Sequence, residues 1–413
     1  MNNKHLFLDK VTEHVKSNEA KEWIKVEMSH HIQLAKEGWI KKGLTQMEAE
    51  EKAIEEMGSP MQLGRELSAI HRPIIDWVIV SLTVSLLMIG ILPVVTYDIH
   101  FIGEKLLTVI GGMAVVIGIM FFDYRKLAQY GYLFYIVGSL LLLSIIFFSN
   151  FSINGAAYLK FGPILVKGIM AIPFFLLAWA SFFSKKDFSY IFFLCLFFFS
   201  CVLFLFGFDS ISTVFIYIFT VVVMLFWSKF SKKKVLLTLG TGISIFLLIN
   251  TYIYITRGNY RLNRLMAFFF PEKYGDDAGW FYLYRDKMWA SLKWIGSSEA
   301  DTYFVNYTDT VFLHLAFEFG YVMAGILILL FTALIVKMFI NVKYIKNSYA
   351  KLLIIGATAL YSVQVIYNIG MCVGLLPITS LSLPFISYGI VPTIINALLI
   401  GLILSIIRRK NFQ

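Results

Sequence analysis

Charged residues and cysteines are scarce in this sequence, and each scarcity excludes a class of protein. Only 15% of the 413 residues are charged, whereas 58% are hydrophobic, with 39 phenylalanines among them. A soluble domain rarely exceeds about half apolar residues, so a soluble globular protein is excluded. The three cysteines, Cys195, Cys201 and Cys372, all lie in apolar runs, and they have neither the spacing of a metal site nor that of a disulfide framework.

Signatures of nucleotide binding and of secretion are also missing. The sequence has no P-loop and no glycine-rich dinucleotide fingerprint, so we do not expect a nucleotide-driven pump. Its polar start, MNNKHLFLDKVTEHVKSNEAKEW, has no early apolar stretch, so we expect no cleavable signal peptide. The net charge of +10 could indicate a nucleic-acid partner. We expect no such partner, because the lysines crowd into short loops between apolar runs.

What the sequence does contain is a series of long apolar runs. Each is near 20 residues, the length that crosses roughly 30 Å of hydrocarbon. We count ten, near residues 75–95, 105–122, 128–148, 164–183, 188–207, 211–228, 235–255, 310–337, 350–376 and 385–407. Because the runs are continuous rather than alternating, they disfavour a β-barrel. The sequence therefore predicts an all-α membrane protein with about ten transmembrane helices.

The basic residues predict how these helices are oriented. Lysine and arginine are concentrated in alternate connections and in the tail, namely DYRK (123–126), SKK (184–186), SKFSKKK (228–234), KYIKNSYAK (343–351) and RRK (408–410). Cytoplasmic loops carry such an excess, so we predict a multi-pass protein of the cell membrane with both termini in the cytoplasm. The long connection 257–309 then lies outside. A loop of that length is more often functional than merely connecting.

Residues 1–72 are predicted to form a separate helical domain ahead of the transmembrane domain, 73–413. Gly43 can end one helix, and Thr45 and Glu48 form a capping box for the next. Gly58-Ser59-Pro60 can stop that helix and start another, which gives three or four short amphipathic helices. Two interpretations stay open: a solvated bundle without chemistry, or a docking or regulatory module with a cytoplasmic partner.

Three ionisable residues accompany the eighth run, in the stretch VNYTDTVFLHLAFEFGYVMAG (305–325). Asp309 can be a helix N-cap or a general base. A helix N-terminus lowers the pKa of an aspartate and desolvation raises it, so the sequence leaves both roles open. His314 and Glu318, four residues apart, share one helix face. They form either a hydrogen-bonded packing pair or part of a site that faces a cavity.

Further candidate residues flank this segment. Asp209, in FGFDSIST, lies near the outer face between spans five and six, as a cap or as a cavity residue. Arg257, Arg261 and Arg264 recur at spacings of four and three, which makes one basic helix face. That face can bind phosphate or lie on anionic lipid, and both interpretations stay open.

The stretch YNIGMCVGLLPITSLSLPFISYGIVPTIINALLIGLILSI (367–406) resembles the signature of the SEDS family (shape, elongation, division and sporulation), the FtsW/RodA/SpoVE-like proteins. The matching motifs are Asn368-Ile-Gly, Gly374-Leu-Leu-Pro and Leu383-Pro-Phe-Ile-Ser-Tyr-Gly389. Other segments resemble the family in the same order, namely IIDWVIV, DYRKL, NGAAYLKFGP, FDSISTVFIYIFTVVVMLF, RLMAFFFPEK and YTDTVFLHLAFEFGYVMAG. The resemblance covers about residues 74–408.

This resemblance implies an enzyme, a peptidoglycan glycosyltransferase that polymerises glycan strands from lipid II at the outer membrane face. The implied role is in cell division or cell-shape maintenance, with a class B penicillin-binding protein, a transpeptidase, as partner. The family's catalytic aspartate falls on Asp309, its EFG glutamate on Glu318 and its PDLGT aspartate on Asp209. Ser387 and Tyr388 of the last motif join them as candidates for substrate binding. A basic group or a divalent cation, Mg²⁺ or Mn²⁺, would stabilise the leaving pyrophosphate, and the metal ligands stay unknown.

The sequence departs from the family pattern near its fourth span. Met170 and Pro173 stand where the family has Glu and Lys, and Tyr158-Leu159 stand where it has Arg-Trp. Lys167, one turn away, can replace the lost cation. The other basic candidates for substrate binding are Arg257, Arg261 and Arg264.

These departures and the helical prefix keep further interpretations open. The lost Glu and Lys favour a non-catalytic regulator of wall synthesis. A lipid II flippase is a third interpretation, although polar groups within the spans are few and no internal repeat is visible. The helical prefix resembles a domain that precedes some Gram-positive membrane proteins, which implies a Firmicutes-like source.

Overall fold

The computed structural model describes residues 3–13, 15, 17–97, 99–153, 156–161, 164–207, 211–242, 244, 260–296 and 309–412. The chain divides into two compact units. One consists of Met1–Asp76 with Ile407–Gln413, and the other of Trp77–Ile406. The carboxyl-terminal tail therefore lies with the amino-terminal helices, whereas the sequence boundaries assigned it to the transmembrane domain.

The described residues of the first unit's amino-terminal part form α1 (Asn3–Glu13), α2 (Asn18–Lys41), α3 (Gln46–Glu56) and α4 (Pro60–Ile70). The predicted punctuation is confirmed. Gly43 and Gly58 follow α2 and α3 with φ of 96° and 76°, and Thr45 and Glu48 form a complete capping box. Apolar side chains from all four helices make one buried cluster, including Val11, Ile24, Ile32, Ala53 and Leu67.

The tail is bound within this unit by buried polar contacts. The guanidinium of Arg409, fully buried, donates from Nη2 to a carboxylate oxygen of Glu19 at 2.7 Å. His71 Nδ1 lies 3.0 Å from the main-chain carbonyl of Asn411, and the N–H of Ile74 donates to the carbonyl of Arg408. A buried charge is costly unless it is paired, so the Arg409–Glu19 contact fixes the tail against α2.

The second unit is a bundle of apolar helices. They are α5 (Trp77–Ile89), α6 (Leu92–Tyr97), α7 (Ile102–Phe121), α8 (Gly131–Phe148), α9 (Ile172–Ser184), α10 (Tyr190–Gly207), α11 (Ile211–Phe226), α12 (232–242), α13 (Tyr260–Phe269), α14 (Trp280–Ser291), α15 (Val311–Phe319), α16 (Tyr321–Asn341), α17 (Ser348–Cys372) and α18 (Ile390–Arg408). Among the described residues, six helical segments are long and apolar enough to span a membrane, and three shorter apolar helices coincide with predicted spans four to six. The seventh run begins at α12 and continues outside the described residues. The predicted all-α, multi-span fold is confirmed.

The eighth apolar run, 310–337, is not one helix as predicted. It breaks at Gly320 into α15 and α16. Gly320 has φ 84° and ψ −178°, a conformation that is essentially restricted to glycine, and a Cβ there would lie 2.5 Å from the carbonyl oxygen of Trp294. The loop between α14 and α15 thus packs its main chain directly against the break.

A small antiparallel sheet, which the sequence did not predict, joins α8 to α9. Its strands are β1 (Phe151–Ile153), β2 (Ala156–Phe161) and β3 (Ile164–Val166), in the order β1-β2-β3. Asn150 closes this sheet, because its side chain bonds both the N–H and the carbonyl of Lys160. The sheet carries Tyr158, and Lys167 follows its last strand.

Among the six long spans of the described residues, α17 and α18 are the most buried. Within their spans 78% and 72% of the residues are buried inside the protein, compared with 28% for α16. An aromatic cluster between α8 and α11 completes the interior, where the Trp179 indole N–H donates to the hydroxyl of Tyr217 at 3.0 Å. α17 is therefore the central element against which the candidate site is built.

Candidate active site

Asp309 lies one residue before the N-cap of α15. Thr310 occupies the N-cap position, and its side chain makes no capping hydrogen bond. The interpretation of Asp309 as the N-cap is therefore wrong. Its main-chain carbonyl accepts a hydrogen bond from Asn368 Nδ2 at 2.7 Å, while its carboxylate makes no hydrogen bond within the described part of the chain.

Two polar side chains, those of Tyr158 and Lys167, lie near the carboxylate of Asp309. Burial raises the pKa of the half-buried Asp309 carboxyl from its ordinary 3.8 to about 6, and the positive charge of Lys167 acts in the opposite direction. The pKa of Tyr158 is raised by its own burial and further by the negative charge of Asp309. Lys167 Nζ lies 5.9 Å from the centroid of the Tyr158 ring. The sheet after α8 therefore supplies both neighbours of the carboxylate.

Asn368, which is completely buried in α17, holds this region together. Its Nδ2 donates to the main-chain carbonyls of Asp309 and of Leu381, at 2.7 and 2.5 Å. Its Oδ1 accepts from the thiol of Cys372, one turn further along. One amide thus fixes the start of α15 to the segment that follows α17, and both are positioned by α17, which lies largely inside the protein.

The side chain and the N–H of Ser387 bond within its own loop. It is 1% exposed, its hydroxyl accepts from the N–H of Leu383 at 2.7 Å, and its own N–H donates to the Leu383 carbonyl at 3.1 Å. Both contacts stay within the loop 383–389. The role predicted for Ser387 in substrate binding stays a prediction, and the hydroxyl stabilises the turn.

A buried lysine supports the same loop from α7. Lys105 is 1% exposed and donates from Nζ to three successive main-chain carbonyls, those of Phe385, Ile386 and Ser387, at 3.3, 3.1 and 3.1 Å. Beside it, the hydroxyl of Tyr388 donates to the carboxylate of Glu104. Ammonium-to-carbonyl bonds of this kind satisfy main-chain acceptors that would otherwise be buried alone.

His314 and Glu318 both lie on the short helix α15. His314 is 1% exposed, and its Nε2 lies 3.1 Å from Thr310 Oγ1. Glu318 is partly buried near the end of α15, two residues before the break at Gly320. The Nε2 contact of His314 thus runs along the helix toward Asp309, and Glu318 lies nearer the other end of α15. The predicted role of Glu318 in substrate binding stays a prediction.

The remaining predicted site residues lie outside the described part of the chain or at the surface. Asp209 and Arg257 lie outside the described residues. Arg261 lies in α13, but its side chain is outside the described part, and Arg264 is exposed on the same helix. The basic helix face stays a prediction.

The sequence missed Tyr158, Asn368, Lys105 and Arg285, the last a buried arginine on α14. Asn368 and Lys105 were visible as polar residues within apolar runs, which in a membrane usually face the protein interior. Arg285 could not be singled out, because it is one of seven basic residues in its loop. Only the fold shows that Arg285 is buried.

A divalent cation would require several oxygen ligands. Among the described residues no group of three or more His, Cys, Asp or Glu side chains lies together. At the candidate site a single carboxylate, that of Asp309, stands beside the positive charge of Lys167. These described side chains do not fit a metal site. The Mg²⁺ or Mn²⁺ expected from the family resemblance stays a prediction.

Comparison with known proteins shows to which family this chain is similar. The profile of the FtsW/RodA/SpoVE family, described as "Cell cycle protein", matches residues 70–412. The "Probable peptidoglycan glycosyltransferase FtsW" of Enterococcus hirae is 37% identical over 110 residues, which is 26% of this chain and 28% of that protein. "Stage V sporulation protein E" of Bacillus subtilis is 29% identical over 25% of this chain and 29% of its own length. The chain thus matches less than a third of either relative.

A longer match and two solved structures extend the comparison. The "Probable peptidoglycan glycosyltransferase FtsW" of Idiomarina loihiensis is 26% identical over 81% of this chain and 87% of its own. A chain from a peptidoglycan synthase complex has a TM-score of 0.69 at 23% identity, covering 81% of this chain and 98% of that one. Thermus thermophilus RodA has a TM-score of 0.60 at 21% identity, covering 82% and 98%. At these identities the structures show a shared fold. Because the profile spans most of its length, this chain belongs to the FtsW/RodA/SpoVE family.

Proposed function

We propose that this protein is a peptidoglycan glycosyltransferase that polymerises glycan strands from lipid II, with Asp309 as the general base. Relatives named probable peptidoglycan glycosyltransferase support the activity. The observation that carries the proposal is the state of Asp309. Its carboxylate is half-buried, makes no hydrogen bond within the described residues, and has a pKa raised to about 6. A base is most effective when its pKa lies near the working pH.

The chemistry follows from these properties. Asp309 accepts the proton of the acceptor sugar hydroxyl, and the hydroxyl oxygen forms a bond to the anomeric carbon of the lipid-linked sugar. The bond between that carbon and the pyrophosphate oxygen breaks, and the pyrophosphate leaves with the electron pair. A carboxylate with a pKa of about 6 is a stronger base than an ordinary aspartate, yet it remains mostly ionised at pH 7. Lys167 helps to keep it ionised.

Purified full-length protein incubated with labelled lipid II tests this proposal, with Mg²⁺, with Mn²⁺ and with a chelator. We expect polymer from the wild type. Asp309→Asn keeps the shape of the side chain but removes its basicity, and should lower turnover by about 10²–10⁴-fold. Asp277→Asn is the matched control, because Asp277 is exposed in the same loop, and it should leave turnover unchanged. An Asp309→Asn protein with wild-type turnover would eliminate Asp309 as the base.

A second candidate is a non-catalytic regulator that binds a lipid-linked sugar or a partner. Met170 and Pro173, standing where the family has Glu and Lys, favour it. Wild-type protein without turnover, together with an Asp309→Asn variant that still supports wall synthesis in cells, would establish the regulator instead of the enzyme.

The proposed topology has both termini in the cytoplasm and the 257–309 loop outside, in a Gram-positive cell membrane. The tail packs with the amino-terminal helices, so both lie on one side and the chain crosses an even number of times, which supports the ten-span count. Cysteines introduced at Lys273 and Ser231, both exposed, test the orientation in a background without native cysteines. Labelling from outside intact cells should reach position 273 and spare 231. The reverse pattern would overturn the topology.

The proposed partners differ between the two faces. On the outside, the similarity to a chain of a peptidoglycan synthase complex supports a class B penicillin-binding protein as partner. On the inside, the domain 1–72 is proposed to dock a cytoplasmic partner. Its described residues contribute helix caps and a small apolar core. The proposed cellular role is in division or in shape maintenance. Depletion in cells distinguishes the two, because loss of division gives filaments and loss of shape maintenance gives rounded cells.

A further inference from the structure

Arg285 is a buried cation with an unused donor in the loop that follows α12. It lies on α14 and is 7% exposed. Its Nε and Nη2 both donate to one carboxylate oxygen of Asp286, at 2.8 and 2.7 Å. Its Nη1 is buried without a hydrogen-bond partner among the described residues. Buried guanidinium N–H groups are almost always satisfied, so this donor indicates an acceptor that the described chain does not supply.

The surroundings hold the guanidinium in one orientation. Gly374 has φ 90°, and a Cβ there would lie 2.9 Å from both Cζ and Nη2 of Arg285. The absence of a side chain at Gly374 thus makes room for the cation. The Tyr282 ring centroid lies 5.4 Å from Cζ, a distance that favours a cation–π contact. A cation fixed in this way loses little freedom when it binds an anion.

Arg285 belongs to the same region as Asp309. On α14 the Trp289 indole N–H donates to the carbonyl of Cys372 at 2.7 Å, and the thiol of Cys372 bonds to Asn368, which holds Asp309. Arg285 packs against Gly374, just after α17, and Asn368 of α17 bonds the main chain of Asp309. The base and the buried cation therefore flank one end of α17. Lys167 already interacts with the carboxylate, and among the described residues Arg285 is a second, separate cation of this region.

We propose that Arg285 binds the diphosphate of the lipid-linked donor and stabilises the pyrophosphate as it leaves, a role that rests on the proposed glycosyl transfer. When the sugar–oxygen bond breaks, the electron pair goes to the pyrophosphate oxygen, and Nη1 donates a hydrogen bond to the anion. Arginine suits this task because its planar fork matches phosphate oxygens. Asp286, 57% exposed, balances the charge when no substrate is bound.

Binding of farnesyl pyrophosphate to the purified full-length protein tests the proposal without any turnover, with farnesol as the uncharged control. Arg285→Gln should weaken pyrophosphate binding by about tenfold or more, since a hydrogen bond to a charged group is lost, and should leave farnesol binding unchanged. Arg285→Lys keeps the charge but not the fork, and should fall between the two. Asp286→Asn removes the competing anion and should tighten pyrophosphate binding.

Equal pyrophosphate affinity in wild type, Arg285→Gln and Asp286→Asn would overturn the proposal. If Arg285→Gln fails to fold, as thermal unfolding would show, Arg285→Lys and Asp286→Asn still decide, because a purely structural arginine predicts no gain on removing Asp286. The experiments can refute the proposed enzyme and the proposed role of Arg285 independently of each other. Arg285-dependent binding without lipid II turnover would refute only the enzyme, whereas turnover with binding that ignores Arg285 would refute only this inference.

Discussion

The helices α15 and α16 are consecutive and similarly apolar, yet they lie in opposite environments. In α15 seven of nine residues, Val311 to Phe317, are buried by protein. In α16 only six of twenty-one are buried, and side chains such as Leu329 are 70% exposed, as expected of a face that meets lipid. Hydropathy reports that a segment avoids water, and it does not report whether protein or lipid covers it.

The break at Gly320 creates this difference. There the N–H groups of Tyr321 and Val322 donate to the carbonyls of Lys293 and Trp294, at 3.1 and 3.2 Å. The loop therefore satisfies the first donors of α16, which would otherwise be unpaired within the membrane. The break lets α15 turn into the protein, so that Asp309 meets Lys167 and Asn368 instead of lipid.

Replacing the glycine should have the largest effect on this arrangement. Gly320→Ala combines a conformation that costs about 1–3 kcal/mol for other residues with an overlap against the Trp294 carbonyl, so we expect roughly 2–6 kcal/mol of lost stability and lost turnover. Gly325→Ala is the control, because it lies inside α16 with nothing within 4 Å of the added Cβ. It should change stability by less than about 1 kcal/mol. Equal losses of stability in Gly320→Ala and Gly325→Ala, measured by thermal unfolding, would show that the backbone at the break is not strained.

Truncating one leucine on each helix sharpens the comparison. Leu313 of α15 is completely buried, so Leu313→Ala should cost about 2–5 kcal/mol of unfolding free energy. Leu329 of α16 is exposed on the protein surface, and Leu329→Ala leaves no cavity inside the protein, so we expect less than about 1 kcal/mol. Reversible unfolding in mixed detergent measures both. A larger loss at Leu329 would mean that another protein surface covers α16.

Removing the positive charge beside the base should have the smallest effect, and one that depends on pH. Asp309 must be ionised to act, so turnover should rise with pH through about 6 and then level off. Without Lys167 the pKa of Asp309 moves up, so Lys167→Met should shift the rising limb to higher pH. Turnover should fall several-fold at pH 6 and stay within roughly twofold at pH 8.

The control for this shift is Lys160→Met, at an exposed lysine of the same sheet, which should leave the pH profile in place. A uniform loss at every pH in Lys167→Met would indicate that Lys167 contacts the substrate directly. An unchanged profile would remove Lys167 from the neighbourhood of the base.

The sequence alone determined the membrane architecture, the family and the helix punctuation of the first unit. Each of these depends on local patterns. Apolar runs of spanning length, a capping box at Thr45 and Glu48, and the contiguous motif Leu383–Gly389 all lie within short stretches of chain. It also singled out Asp309, because an acidic residue at the edge of an apolar run is rare enough to be noticed.

Only the tertiary structure decided how the region around Asp309 is built. The contact between Asn368 and Asp309 joins residues 59 positions apart, and Lys105 reaches the loop at Ser387 across 282 positions. The N-cap role failed for a different reason: whether a helix begins at Asp309 or one residue later depends on contacts that a single Thr-Asp-Thr stretch does not encode. Burial sets the pKa of Asp309 and distinguishes Arg285 from the other basic loop residues, and burial exists only once distant segments have packed together.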